Sequence, residues 1–284
     1  MVIDAHIHVQ PWRQLRPGAL DRLSSGRRDL DLIRSLFDDP AAFLRFLDDQ
    51  GIDRAVLVNY VSPDVIGFTD DVNAWIGAYC RGHADRLVAV GGVHPRQTPD
   101  PAGALQRIVE THGIRALKLH PPHQHFLPND YRDGGRLPGL AAVYERAQTL
   151  RIPVIVHTGT SIFPDARNRY GDPMALDDVA VDFPDLTIVL AHGGRPLWME
   201  TSFFLLRRHA NVCMDISGIP PRALLRYFPR IEEVAHKTMF GTDWPSPGVE
   251  SPAGNLEAIR ALGLPPEALR AILGGTAERI FPIR

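Results

Sequence analysis

Val2-Ile3-Asp4-Ala5-His6-Ile7-His8-Val9 is a short, β-branched run that ends in two imidazoles two residues apart. Side chains at i and i+2 of a strand leave the same face about 7 Å apart, so His6 and His8 can both turn toward one cation. The stretch also decides between two α/β architectures. An open, doubly wound sheet wants a Gly-rich phosphate turn after an early strand, and here histidines stand in its place. A lone His-x-His describes two polar strand residues equally well, so its weight comes from the rest of the chain.

Outward from this strand, apolar runs alternate with helical periodicity. A long loop with one short helix is expected over 10–38, the length of a lid or binding loop. Phe43, Leu44, Phe46 and Leu47 then recur at helical spacing between Pro40 and the stop at Gly51. Ala55-Val56-Leu57-Val58 reads as a strand buried on both faces. Further strands are expected at 87–93, 114–120, 152–157, 186–192, 211–216 and 238–241. Helices are expected near 72–79, 102–111, 140–150, 173–183, 196–209, 221–235, 252–262 and 265–273, with a second long loop over 121–136. Eight strands, each followed by a helical pattern and divided by no linker, predict a single-domain TIM (β/α)8 barrel over 1–284.

Composition bounds the function. Hydrophobic residues at 44% and charged residues at 23% are ordinary for a globular chain. Thirty-one Lys and Arg against 33 Asp and Glu leave no electrostatic footprint for nucleic acid or an anionic membrane. Cys80 and Cys213 are far apart and read as buried free thiols in a reducing compartment. No apolar run approaches a membrane span and no signal sequence is apparent, so a cytoplasmic protein with a small-molecule substrate is expected, with room for a homo-oligomer.

The strands are apolar, yet His6 and His8, His94, His120, His157, His192 and Asp243 stand at or near their C-terminal ends. In a closed barrel those ends converge on the face that carries active sites. Burying so many titratable groups without a cation or substrate would be costly. On this reading Asp243 is the one carboxylate of the set.

This pattern resembles the amidohydrolase superfamily: His-x-His on the first strand, His on the fifth and sixth, Asp on the eighth. Val156-His157-Thr158-Gly159, Ala191-His192-Gly193-Gly194 and Gly241-Thr242-Asp243-Trp244-Pro245 look like the branch with 2-pyrone-4,6-dicarboxylate lactonase and aminocarboxymuconate semialdehyde decarboxylase. The resemblance implies His6, His8, His157 and Asp243 as ligands of one divalent transition metal, zinc first and manganese as the alternative, with a water in the open position. It implies Asp243 and His192 as catalytic groups. Some members of the superfamily carry a carbamylated lysine on the fourth strand that bridges two metals, and Lys118 is placed for that. The decarboxylase-like branch works with one metal, which leaves Lys118 as a cation for a substrate carboxylate or for structure.

Arg195, after the Gly193-Gly194 pair, is expected to bind a substrate carboxylate bidentately, with a solvated surface arginine as the bland reading. Lys118, His120, His94 and Trp12 complete the expected substrate contacts. His123, His125, Phe163 and Trp244 are expected to rim the pocket, and His83, His112, His209 and His236 to face solvent. Hydrolysis of an ester, lactone or amide of a small carboxylated substrate is the first functional expectation. Non-oxidative decarboxylation of an unsaturated or aromatic acid is the second. A catalytically silent binding protein is the third, disfavoured because every expected ligand position is filled.

Overall fold

The computed structural model describes residues 1–281. Eight parallel strands follow one another around a single sheet: β1 (Ile3–Ile7), β2 (Arg54–Val58), β3 (Leu87–Gly91), β4 (Ala116–Leu119), β5 (Val154–His157), β6 (Ile188–Ala191), β7 (Val212–Asp215) and β8 (Thr238–Met239). Backbone hydrogen bonds close the ring. Ala5 N–H donates to Phe240 O (2.9 Å), Asp243 N–H to His6 O (2.7 Å) and His8 N–H to Trp244 O (2.7 Å). The predicted barrel is therefore present, and its closing seam runs directly through the site residues.

Two apolar layers explain why the strands read as continuous hydrophobic runs. Leu57, Leu87, Leu117, Val154, Ile188 and Leu190 point outward into a cluster shared with the helices. Ile3, Ala5, Val56, Val90, Ile155, Val189 and Cys213 fill the barrel interior, with Ile280 and Phe281 packed against them. Both faces are buried, so the period of two is hidden in the sequence. Cys80 and Cys213 are free and buried.

A bulge in β1 aims the histidines. Asp4 pairs with Ala55 and Ile7 with Leu57, so three steps along β1 match two along β2. One extra residue reverses the alternation from there on. Ile3 and Ala5 belong to the interior layer while Ile7 belongs to the outer one. Beyond the bulge, His6 and His8 take the inward positions above Ala5.

Three segments differ from expectation. The 10–38 stretch is largely helical, with a 3-10 turn at Trp12–Gln14 and helices at Pro17–Ser24 and Leu30–Asp38. Ile33, Leu36 and Phe37 form the buried stripe of the latter, an amphipathic spacing partly masked by surrounding charge. The helix expected over 221–235 is broken into Leu224–Tyr227 and a 3-10 stretch Ile231–Lys237, because Pro229 cannot continue the ladder. The helix expected over 265–273 instead runs on to Ile280, as short helices at Pro266–Arg270 and Thr276–Ile280 joined by a π-turn. No helix among the described residues is long and apolar enough to cross a membrane.

Candidate metal centre and active site

His6 and His8 arrive from the end of β1 with their tautomers already assigned by their surroundings. His6 Nδ1 lies 2.9 Å from Asp215 Oδ2, and His8 Nδ1 lies 2.8 Å from the carbonyl oxygen of Val58. A carboxylate and a carbonyl accept only, so each Nδ1 carries the proton and each Nε2 presents a lone pair. Both Nε2 atoms face Asp243, whose Oδ1 is 3.0 Å from His8 Nε2 and 3.8 Å from that of His6. Lone pairs that converge on a carboxylate require a proton or a cation between them. His6 Nε2 and His157 Nε2 are buried and have no hydrogen-bond partner among the described residues. The donor set therefore fits a divalent cation bound by imidazole and carboxylate.

Two clusters of three ligand atoms lie within 4.8 Å of one another: His6, His8 and Asp243, and His6, His192 and Asp215. The first points its free atoms at the cavity. In the second, Asp215 is already engaged. Its Oδ2 accepts from His6, and its Oδ1 accepts from the backbone N–H of His192 and of Ser217, both at 3.1 Å, and from the Ser217 hydroxyl. Asp215 is thus the group that orients His6 and anchors the start of the His192 turn. His192 Nδ1 in turn lies 3.1 Å from Ser217 O and 2.8 Å from Ser217 Oγ. His157 falls in neither cluster, but its ring centroid is 4.6 Å from that of His192, which is itself 4.7 Å from that of His6.

Electrostatics follow from this packing. Burial works against ionised Asp243, yet its close approach to His8, with His6 and Arg195 nearby, holds it well below the usual carboxylate range. Burial likewise dominates at the imidazoles of His6, His120, His157 and His192, pushing all four down and keeping them neutral. His192 and Asp243 both have positive φ, 65° and 66°, although neither is glycine. Such backbone strain persists only where the surroundings hold it, and here it falls on two adjoining site residues.

One cavity of about 280 Å³ gathers His6, His8, Lys118, His120, His157, His192, Arg195 and Asp243. Lys118 follows Ala116 on the interior face of β4. It is 1% exposed, and its Nζ has no partner among the described residues. Burial pushes the ammonium down to about 8, against the pull of Asp215 and Asp243. His120 is stacked between His157 (3.8 Å) and His123 (3.6 Å). Arg195 approaches Asp243 Oδ2 at 3.7 Å and lies over Gly218, where an added Cβ would come within 2.6 Å of Arg195 Nε. Leu23, Ile162, Phe163, Ile219 and Val249 supply the apolar walls.

Several expected contacts lie elsewhere. Trp12 lines a separate depression and packs edge-on against Phe37, so its ring serves the covering helices rather than the cavity. His94 sits past the end of β3, buried but outside the cavity lining, where the chain has already left the barrel mouth. Trp244 is buried against Phe37 and Phe46, and His123 forms a second layer behind His120. His209 does not face solvent: it is 9% exposed and 2.7 Å from Asp177. Asp215 is the residue that sequence reasoning missed, and Asp243 is not the only strand-end carboxylate. Its position as the last residue of β7 was the available signal.

Residues 3–283 match the Amidohydro_2 family, described as amidohydrolase. The chain belongs to this amidohydrolase family. No relative was found among curated protein sequences. Among solved structures, the amidohydrolase chain is similar to an uncharacterised TIM-barrel protein from Bordetella bronchiseptica at 24% identity and a TM-score of 0.77, covering 98% of this chain and 97% of that one. It is similar to a probable 2-pyrone-4,6-dicarboxylic acid hydrolase from Acinetobacter baumannii, with citric acid bound, at 16% identity and a TM-score of 0.64, covering 99% and 98%. It is also similar to the D314N mutant of a 5-carboxyvanillate decarboxylase from Novosphingobium aromaticivorans, with bound manganese and a nitrobenzoic acid, at 16% identity and a TM-score of 0.67, covering 98% and 95%. These likenesses show the fold, and the solved neighbours include a probable hydrolase and several decarboxylases by name.

Proposed function

We propose that the protein is a metal-dependent hydrolase of an ester, lactone or amide bond in a small carboxylated substrate. The observation that carries this reading is the double exposure of Asp243. One oxygen faces the Nε2 atoms of His6 and His8 while the other faces Arg195 and the cavity. His6, His8, His157 and Asp243 would hold one divalent cation, zinc before manganese. When bound, such a cation polarises the scissile carbonyl and lowers the pKa of water in the site.

The chain's own residues supply the rest. Asp243 Oδ2 accepts the proton released when water attacks and returns it to the leaving oxygen or nitrogen, while His192, held by Ser217 and by the Asp215 network, orients the reacting groups. Lys118 and Arg195 hold the substrate carboxylate from two sides of the cavity, one as a point charge and one as a planar fork. The buried imidazoles stay neutral, so these two are the cations available to an anion.

Decarboxylation is the second reading, favoured by the flat stack of His157, His120 and His123 beside Lys118, which suits a planar unsaturated acid. A screen of carboxylated lactones, esters and aromatic acids with the metal-loaded protein separates the two. Acid release without carbon dioxide supports hydrolysis, and stoichiometric carbon dioxide from an aromatic acid replaces it with decarboxylation.

A further inference from the structure

Outside the active cavity, a cleft of about 510 Å³ is lined by Arg96, Arg136, Arg167, Arg169, His125 and Tyr170, together with Leu137 and Asp130. The four arginines come from the segments that follow β3, β4 and β5. None of the four is in a salt bridge among the described residues, as Arg13, Arg86, Arg132, Arg208, Arg230 and Arg260 are. The only carboxylate in the lining, Asp130, already accepts from the backbone N–H of Leu127 at 2.8 Å. In a chain whose formal net charge is only −2, four guanidinium groups facing one carboxylate across a concave surface is a strong local excess.

The floor of this cleft is rigid. Tyr170 is buried; the Arg169 guanidinium stacks over its ring at 4.7 Å and donates to its hydroxyl at 2.8 Å from the neighbouring position in the chain. The His125 ring lies 6.3 Å from the Tyr170 centroid, with its Nε2 3.0 Å from Asp165 O. His94 lies near Asp64 as well as Arg96, and its Nδ1 is buried without a partner among the described residues. The Arg167 N–H donates to Pro122 O at 2.8 Å and ties the segment after β5 to the one after β4.

We propose that this cleft binds a small polyanion, with phosphate or carboxylate oxyanions bridging Arg96 and Arg136 on one wall and Arg167 and Arg169 on the other. Guanidinium groups present paired N–H donors that match either oxyanion, and a ligand of two or three charges offsets the repulsion among four of them. The site does not depend on the activity proposed above. The cleft has no lining residue in common with the active cavity, and a 2.7 Å hydrogen bond between His123 Nε2 and Ser161 Oγ joins the segments after β4 and β5.

Isothermal titration with inorganic phosphate and with tricarballylate, at fixed ionic strength set with sodium chloride, tests the proposal and distinguishes the two sources. The expected result is saturable binding of at least one probe, weakened about tenfold or more in Arg167→Ala/Arg169→Ala, as losing two charge-assisted contacts implies. Arg81→Gln, exposed on the surface at the end of the helix Asp71–Cys80 and outside both cavities, should bind the probe as the parent does. If the double variant melts early, Arg96→Gln/Arg136→Gln carries the same test from the opposite wall. No saturable binding of either probe, unchanged binding in both double variants, or an equal loss of binding in Arg81→Gln would overturn the proposal.

Discussion

Replacing Asp215 by Asn removes one charge and no heavy atom, yet it should weaken metal binding at a site that Asp215 does not face. In the native arrangement Oδ1 accepts from the backbone N–H groups of His192 and Ser217, and Oδ2 accepts from His6 Nδ1 at 2.9 Å. The Asn oxygen can keep the two backbone donors, which turns the amide NH2 toward His6. Only an unprotonated Nδ1 can receive it, so the His6 proton moves to Nε2 and occupies the lone pair that points at Asp243. Loss of such an orienting partner costs about 10- to 100-fold in metal affinity, or about 1.4–2.7 kcal/mol. The assay is competition for zinc against a chromophoric chelator, with the metal-free melting temperature measured in parallel. Asp177→Asn is the control, because it alters a second His–Asp pair, at His209, far from the cavity. Asp215→Asn with parent affinity, or an equal loss in Asp177→Asn, would refute the orienting role.

Asp243→Asn should retain part of the metal through the histidines and lose about 10²-fold or more in turnover, as expected for a removed general base; normal turnover would leave Asp243 as a ligand only and shift the base to His192. Lys118→Met should raise KM for a carboxylated substrate more than it lowers kcat, and should abolish the weakening of binding expected of the parent as pH rises through about 8; an unchanged KM would remove Lys118 from substrate recognition. Gly218→Ala should act like Arg195→Lys, raising KM without loss of metal, since the new methyl takes the space of the guanidinium. Burial pushes His94 and His123 down to about 4 and about 3, below the unfolded value near 6.5. Their contribution to stability is therefore whole above pH 6.5 and is lost as pH falls toward those values. At pH 5.5 the loss is about 1.4 kcal/mol per histidine, and a melting temperature that stays flat from pH 7.5 to 5.5 would contradict it.

The barrel was legible because each strand is an apolar run that stops at a polar residue, and the stops at His6, His157, His192 and Asp243 mark one face. What stayed hidden depended on relations between distant segments. The β1 bulge exists only against β2, so the sequence could say that His6 and His8 share a face but not that this face turns inward. Asp215 goes unnoticed within the strand expected over 211–216 because its partner, His6, is 209 positions away in the chain. Trp12 and His94 carry the residue types of a pocket, but nothing local distinguishes a ring on the cavity from one under a covering helix or past the barrel mouth. The 10–38 segment hid its helices because Arg and Asp interrupt the apolar stripe of Ile33, Leu36 and Phe37.

The central claim is that His6, His8, His157 and Asp243 together hold one divalent cation on which activity depends. Elemental analysis of the purified protein, paired with activity before and after chelation and after zinc is restored, tests it most directly. About one equivalent per chain is expected, with activity lost on chelation and recovered with zinc, and with both lost together in His6→Ala and His8→Ala. Two equivalents with a modified Lys118 would contradict the single-cation site, and no metal with activity untouched by the chelator would contradict the claim altogether.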